Sequence, residues 1–132
     1  MSWSVRLSEI SAKDLKDTGV NSGFTKDEQD PACHFSIGDQ KRRTERAPDA
    51  GVNASWPKLQ LQFTISESDY NNKEMVVEVF NEGSIVAMKQ KHIGRGNFLL
   101  KSVRADGTPQ FVDVPLTFYD KSIPVQQRCR NA

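Results

Sequence analysis

The residues in this chain best placed to do chemistry are cations set close together. Lys41, Arg42, Arg43 and Arg46 crowd one short stretch, opposed only by Glu45. Lys89, Lys91, His92 and Arg95 form a second group. Cations at this density suit attachment to an anionic surface. Each Lys or Arg near an anionic bilayer contributes about 1 kcal/mol, and salt screens the effect. If the first group lies on a strand, Lys41 and Arg43 share one face and Arg42 points to the other. The same charges also suit an edge strand that must repel stray strand pairing. Both readings stand on the residues alone. Catalytic chemistry has less to work with. His34 and His92 are the only histidines. Cys33 and His34 are adjacent on a predicted strand and so face opposite ways, which rules against a nucleophilic Cys-His pair. No Gly-rich phosphate loop and no Cys/His metal spacing is present. The chain reads as a non-enzyme.

The elements that hold these residues read as strands. Leu59, Leu61, Phe63 and Ile65 alternate with Gln60, Gln62 and Thr64, a period of two with one apolar face. Val5 and Leu7 alternate with Arg6 and Ser8 in the same way. The β-branched run 75–80 reads as a more deeply buried strand. Further strands are expected at 32–37, 41–44, 98–100, 111–116 and 123–126. Gly38-Asp39 marks a tight hairpin between two of them. Turns follow at 105–108 and 119–122. Two long polar stretches, 18–29 and 46–54, are expected to be loops, where function often resides. A short helix over 84–90 competes with an irregular loop. The sum is an all-β, eight-stranded antiparallel sandwich.

With 132 residues the chain suits one domain over 1–132. Its 36% hydrophobic and 27% charged content fit a globular protein. A net charge of +1 carries no general attraction for nucleic acid, so only local placement of charge informs on partners. Cys33 and Cys129 are too few for a disulfide scaffold and read as buried free thiols, with a bridge as the alternative. No apolar run approaches the roughly 20 residues that span a bilayer, and residues 1–6 lack a signal-peptide pattern. A cytoplasmic protein follows, whose membrane contact would be peripheral.

Specific residues narrow the sandwich further. Ala12-Lys13-Asp14-Leu15-Lys16-Asp17, Asp30-Pro31-Ala32-Cys33, His34 to Gly38, Lys41 to Thr44, Ser55-Trp56-Pro57 with Leu61 and Phe63, and His92-Ile93-Gly94 occur in that order. Together they resemble the ordered blocks of C2 domains over nearly the whole chain. The early position of the Ala-x-x-Leu block, with a last strand over 123–129, is similar to the topology variant shared with phospholipase C and some protein kinase C isoforms. The resemblance implies a non-catalytic module, binding either anionic phospholipid headgroups or a protein partner, and a module of a larger protein. It also implies that Trp56 is a buried anchor with its indole N–H satisfied.

Calcium-dependent members of this family hold the ion between two loops with about five carboxylates. Calcium takes six to eight oxygens, several of them anionic. By resemblance Asp17 and Asp30 match the first-loop ligands, beside the additional acids Asp27 and Glu28, and Glu82 is a further metal candidate. The third-loop carboxylates are replaced by Asn81, Gly83 and Lys89. A lysine ammonium near the ion opposes it by Coulomb repulsion. The expectation is no cofactor, with Asp17 and Asp30 ordering the loop instead. The expected function is binding of anionic phospholipid through Lys41, Arg43, Arg46, Lys89, Lys91 and Arg95 with little or no calcium dependence. The alternative is a protein-interaction domain of a cytoskeletal, ciliary or trafficking scaffold, and a calcium-dependent membrane sensor is third. Val86 and Met88, with Phe24 in the first loop, are the apolar candidates for insertion, and Phe24 suits covering the sandwich end better than inserting.

Overall fold

Alternation of apolar and polar residues becomes alternation of burial along each strand. A computed structural model describes residues 2–16, 21–22, 25–26, 29–48, 50–82, 91–119 and 124–131. The strands are β1 (Ser2–Lys13), β2 (Asn21–Ser22), β3 (Thr25–Lys26), β4 (Pro31–Ile37), β5 (Gln40–Arg43), β6 (Ala54–Ser66), β7 (Glu74–Asn81), β8 (Lys91–Leu99), β9 (Val112–Tyr119) and β10 (Pro124–Asn131). In β6, Phe63 and Ile65 are buried and Leu59 and Leu61 pack against the core, while Gln60, Gln62 and Thr64 are exposed. In β7, Met75, Val77 and Val79 are fully buried. Val76, Glu78 and Phe80 on its other face are only half-buried. The Val-rich run therefore lines the core on one side only.

Eight strands form one antiparallel series in the order β5-β4-β7-β8-β9-β10-β1-β6, and β2 pairs with β3 separately. The series folds over between β8 and β9, where the single registered pair is Arg95 with Thr117. Two layers result, β5-β4-β7-β8 and β9-β10-β1-β6. Phe35, Val77, Val79 and Ile93 of the first meet Leu7, Ile10, Phe63, Ile65, Val114 and Leu116 of the second in one core. Each such side chain contributes about 1.5–3 kcal/mol by leaving water.

Side chains close the free edge opposite that seam. Arg42 Nε donates to Gln62 O at 2.9 Å, and the guanidinium lies 5.2 Å from the Phe63 ring centroid. Gln40 Nε2 donates to Thr64 O at 2.6 Å. Arg42 thus points away from Lys41 and Arg43, as the strand period requires, and joins the two layers. The hairpin is at Gly38-Asp39, with Ile37 facing Gln40 and Gly38 at φ 56°, the positive value its tight turn needs.

A short helix, α1 (Glu67–Asn72), follows β6. Its signal is the capping box Ser66-x-x-Asp69: the Ser66 hydroxyl accepts from Asp69 N at 3.0 Å, and Asp69 Oδ2 accepts from Ser66 N at 3.1 Å. A 3-10 turn over Leu100–Ser102 ends β8, so the expected strand at 98–100 is the tail of a longer one. The stretch 84–90, the insertion candidates Phe24, Val86 and Met88, and the acids Asp27 and Glu28 lie outside the described residues. So does the side chain of Cys129. Cys33 is fully buried on β4.

Backbone bonds gather the connections at one end of the sandwich. Leu15 N donates to Val52 O, Gly51 N to Gln29 O, Ala47 N to Pro31 O and Glu82 N to Asp30 O. The chain around residues 15, 29–31, 47, 50–52 and 82 is therefore a single hydrogen-bonded platform. Trp56 underpins it, buried, with its Nε1 donating to Glu45 O at 2.8 Å.

Candidate functional site

Pairing across strands decides which charges meet. On the outer face of the first layer, Arg43 of β5 faces His34 of β4, His34 faces Glu78 of β7, and Glu78 faces Arg95 of β8. The neighbouring row is Lys41, Ser36, Val76 and Asn97. Lys41 and Arg43 do share a face. Arg95 sits three strands away, roughly 14 Å at the usual strand spacing. Its place is mid-strand in β8, where it lines one cleft with His92. Lys91 opens β8 opposite Asn81. Asp17, Lys89 and Gly83 lie outside the described residues.

Glu82 follows the last residue of β7 and is the hub of this face. Its Oε2 lies 2.7 Å from His34 Nε2, and its Oε1 accepts from the Arg43 guanidinium. Asp30 faces Arg46 at 3.7 Å. The Asp30 backbone N–H donates to Asn81 Oδ1 at 3.0 Å. Both described acids of the calcium candidates therefore lie against arginines, and the amide at position 81 holds the Asp30 backbone. Phe80 separates the two histidines, its ring centroid 4.7 Å from His34 and 5.2 Å from His92. His92 Nε2 in turn lies 3.2 Å from Glu78 Oε2.

The ion pairs are asymmetric. The Arg43 and Arg46 side chains are 48% and 53% exposed, against 11% for Glu82 and 10% for Asp30. The acids lie inside and the guanidinium groups face solvent. With Lys41 exposed beside them, the β5 edge presents positive charge outward. Further along the same face, Glu74, Val76, His92, Arg95, Gly96, Asn97 and Thr117 line an open cleft of about 380 Å³ at the β8/β9 seam.

Burial pushes the Glu82 carboxyl up, but hydrogen bonds from His34 and Arg43 outweigh it and hold the group below its ordinary value of 4.5. A carboxyl lowered in the folded state stabilises the fold above its unfolded value. That contribution is lost as pH falls through the folded value. The melting midpoint should therefore drop as pH falls from about 5 toward 3, and Glu82→Gln should drop less steeply over that window. Equal slopes for the two proteins would show that Glu82 contributes nothing there.

The His34–Glu82 and Phe80–His92 pairings are hidden in the sequence, because they join positions far apart whose meeting depends on strand order and register. Gln29 is equally silent there. It is buried, with Nε2 donating to Lys16 O at 2.9 Å and Gly51 O at 2.7 Å.

Among curated proteins no sequence matches this chain. Solved structures similar to it include the first C2 domain of plant Extended Synaptotagmin 1, at 12% identity and TM-score 0.73, covering 97% of this chain and 91% of that one. The two calcium-bound C2 domains, A and B, of Extended Synaptotagmin 2 match at 18% identity and TM-score 0.65, over 97% of this chain and 45% of that one. Human GIVD cytosolic phospholipase A2 matches at 10% identity and TM-score 0.65, over 98% of this chain and 16% of that one. This chain thus spans less than half the length of the last two. At these identities the likeness concerns the fold. A sequence model of the C2 domain matches residues 3–113, and with that span the chain belongs to the C2 domain family.

Proposed function

We propose that this C2 domain is a non-catalytic module that attaches to anionic phospholipid through the β5 edge, with little or no dependence on calcium. The observation that carries this reading is the asymmetry of the ion pairs: Arg43 and Arg46 turn their guanidinium groups to solvent while their carboxylate partners stay inside. A guanidinium has five N–H donors in a fork that matches phosphate. Arg43 uses donors on Thr44 O and Glu82. Lys41 and Arg46 flank it as exposed cations. At about 1 kcal/mol per cation, the attachment is weak and salt-sensitive.

The described residues fit calcium poorly. Glu82 has both oxygens engaged, Asp30 faces a cation, and position 81 offers an amide where a third carboxylate would serve. No helix among the described residues is long and apolar enough to cross a membrane.

Flotation with phosphatidylcholine vesicles carrying a phosphoinositide tests the reading. Binding is expected at low salt, equal in calcium and in chelator, and reduced by Lys41→Glu. Absence of binding at low salt in both conditions would sink it. A second reading has its own support. The outer face mixes Glu74, Glu78 and Arg95 around the seam cleft, a pattern suited to a protein surface of matching charge. Sedimentation showing a stable dimer, with vesicle binding absent, would favour that reading.

A further inference from the structure

We propose that the Glu82 carboxylate is a built-in competitor for phosphate, holding the Arg43 guanidinium that a lipid headgroup must draw away. This rests on the lipid reading above and deepens it.

The geometry is that of a bound anion. One Glu82 oxygen meets the His34 ring nitrogen at 2.7 Å and the other accepts from the guanidinium of Arg43. A carboxylate and a phosphate offer a guanidinium the same kind of oxygen pair, so the contact that holds one can hold the other. Glu82 cannot diffuse away. Its N–H is bonded to Asp30 O at 3.0 Å, and the residue directly follows β7. It therefore competes as a tethered group, at a constant effective concentration that incoming phosphate must exceed. Arg43 is the partner that can move. It is about half exposed, whereas Glu82 is nearly covered and stays beside His34. Exchange then amounts to the guanidinium swinging from an inner carboxylate to an outer phosphate. The consequence is an edge that looks strongly basic in sequence but whose central arginine is already occupied, which keeps attachment weak until the surface charge is high.

The experiment compares Glu82→Gln with Glu9→Gln on the same vesicles, phosphatidylcholine carrying a phosphoinositide, in chelator. Both variants raise the net charge equally. Glu9 is exposed on β1, in the other layer. Glu82→Gln should bind about fivefold more tightly, the effect of one unit of charge released at the surface. Glu9→Gln should stay close to the parent chain. Equal gains in the two variants, or no gain in Glu82→Gln, overturn the proposal while the lipid reading survives. If neither parent nor variant floats with vesicles at low salt, the lipid reading fails and takes the proposal with it. A measurement on the unmutated chain covers the case in which Glu82→Gln fails to fold. On adding soluble inositol trisphosphate, the Glu82 carboxyl carbon and the His34 ring nitrogens should shift together with Arg43 Nε. A response at Arg43 with none at Glu82 overturns the proposal.

Discussion

Gly96→Ala should lower stability by about 3 kcal/mol and the melting midpoint by about 10 °C, a loss large enough to compromise folding. A Cβ at position 96 would lie 2.4 Å from the Pro115 carbonyl oxygen and 2.7 Å from Val114 Cγ1. The first of these is backbone, and it cannot retreat. Val114 and Leu116 on either side are buried in the core at 1% and 0% exposure, so β9 is pinned where it stands. Position 96 lies beside the one registered pair that holds β8 to β9. Gly107→Ala provides the comparison. Gly107 has φ +81° but nothing within 4 Å of an added Cβ, so it isolates backbone strain from collision. That variant should lose only about 1 kcal/mol. Thermal unfolding followed by circular dichroism reads both. If the two variants lose the same amount, close approach at the seam is not what the glycine serves.

Gly96 also marks where the sequence stops being readable. Periodicity exposes the strands, because a half-buried strand must alternate, and β6 does so over its whole apolar stretch. The ordered blocks from Ala12 to Gly94 then point to the right family. What periodicity cannot reveal is which strands are neighbours. The folding of one eight-strand series into two layers at Arg95 and Thr117 depends on partners far apart in the chain. The glycine that permits it looks like any other residue between two polar ones. The helix α1 is legible but easily overlooked: Ser66 and Asp69 are spaced as a capping box, yet the window is too short for an apolar period to draw the eye.

The candidate site divides in the same way. The identity of its cations is plain, and the strand period correctly sets Lys41 and Arg43 on one face with Arg42 on the other. The acids against which two of those cations rest are not. Arg43 meets Glu82 and Arg46 meets Asp30 only because β5, β4 and β7 are adjacent and end together. Along the chain, Asp30 and Glu82 look like remnants of a metal site and the arginines like a separate patch. In space they form one arrangement, with the cations outside and the carboxylates within.

Gln29 is what that arrangement rests on, and Gln29→Leu should cost about 3 kcal/mol, or about 10 °C in melting midpoint. The side chain is 1% exposed. Its Nε2 bridges the carbonyls of Lys16 and Gly51 at 2.9 and 2.7 Å, while the backbone carbonyl of the same residue accepts from Gly51 N at 3.0 Å. Leucine matches the volume but offers neither donor, leaving one buried and one part-buried carbonyl without that partner. The damage should also be local. Asp30 is the next residue, and it carries both the bond to Glu82 N and the contact with Arg46. Loosening it should speed hydrogen exchange at residues 50–53 and at Glu82 well beyond the global change, while β6 and β9 follow global stability. Gln29→Glu separates volume from donation, since it keeps the shape and removes the N–H groups. It should be at least as harmful as leucine, because a buried carboxylate would then face two carbonyl oxygens. A Gln29→Leu protein as stable as the parent, with unchanged exchange at Glu82, would mean the platform is held by its backbone bonds alone.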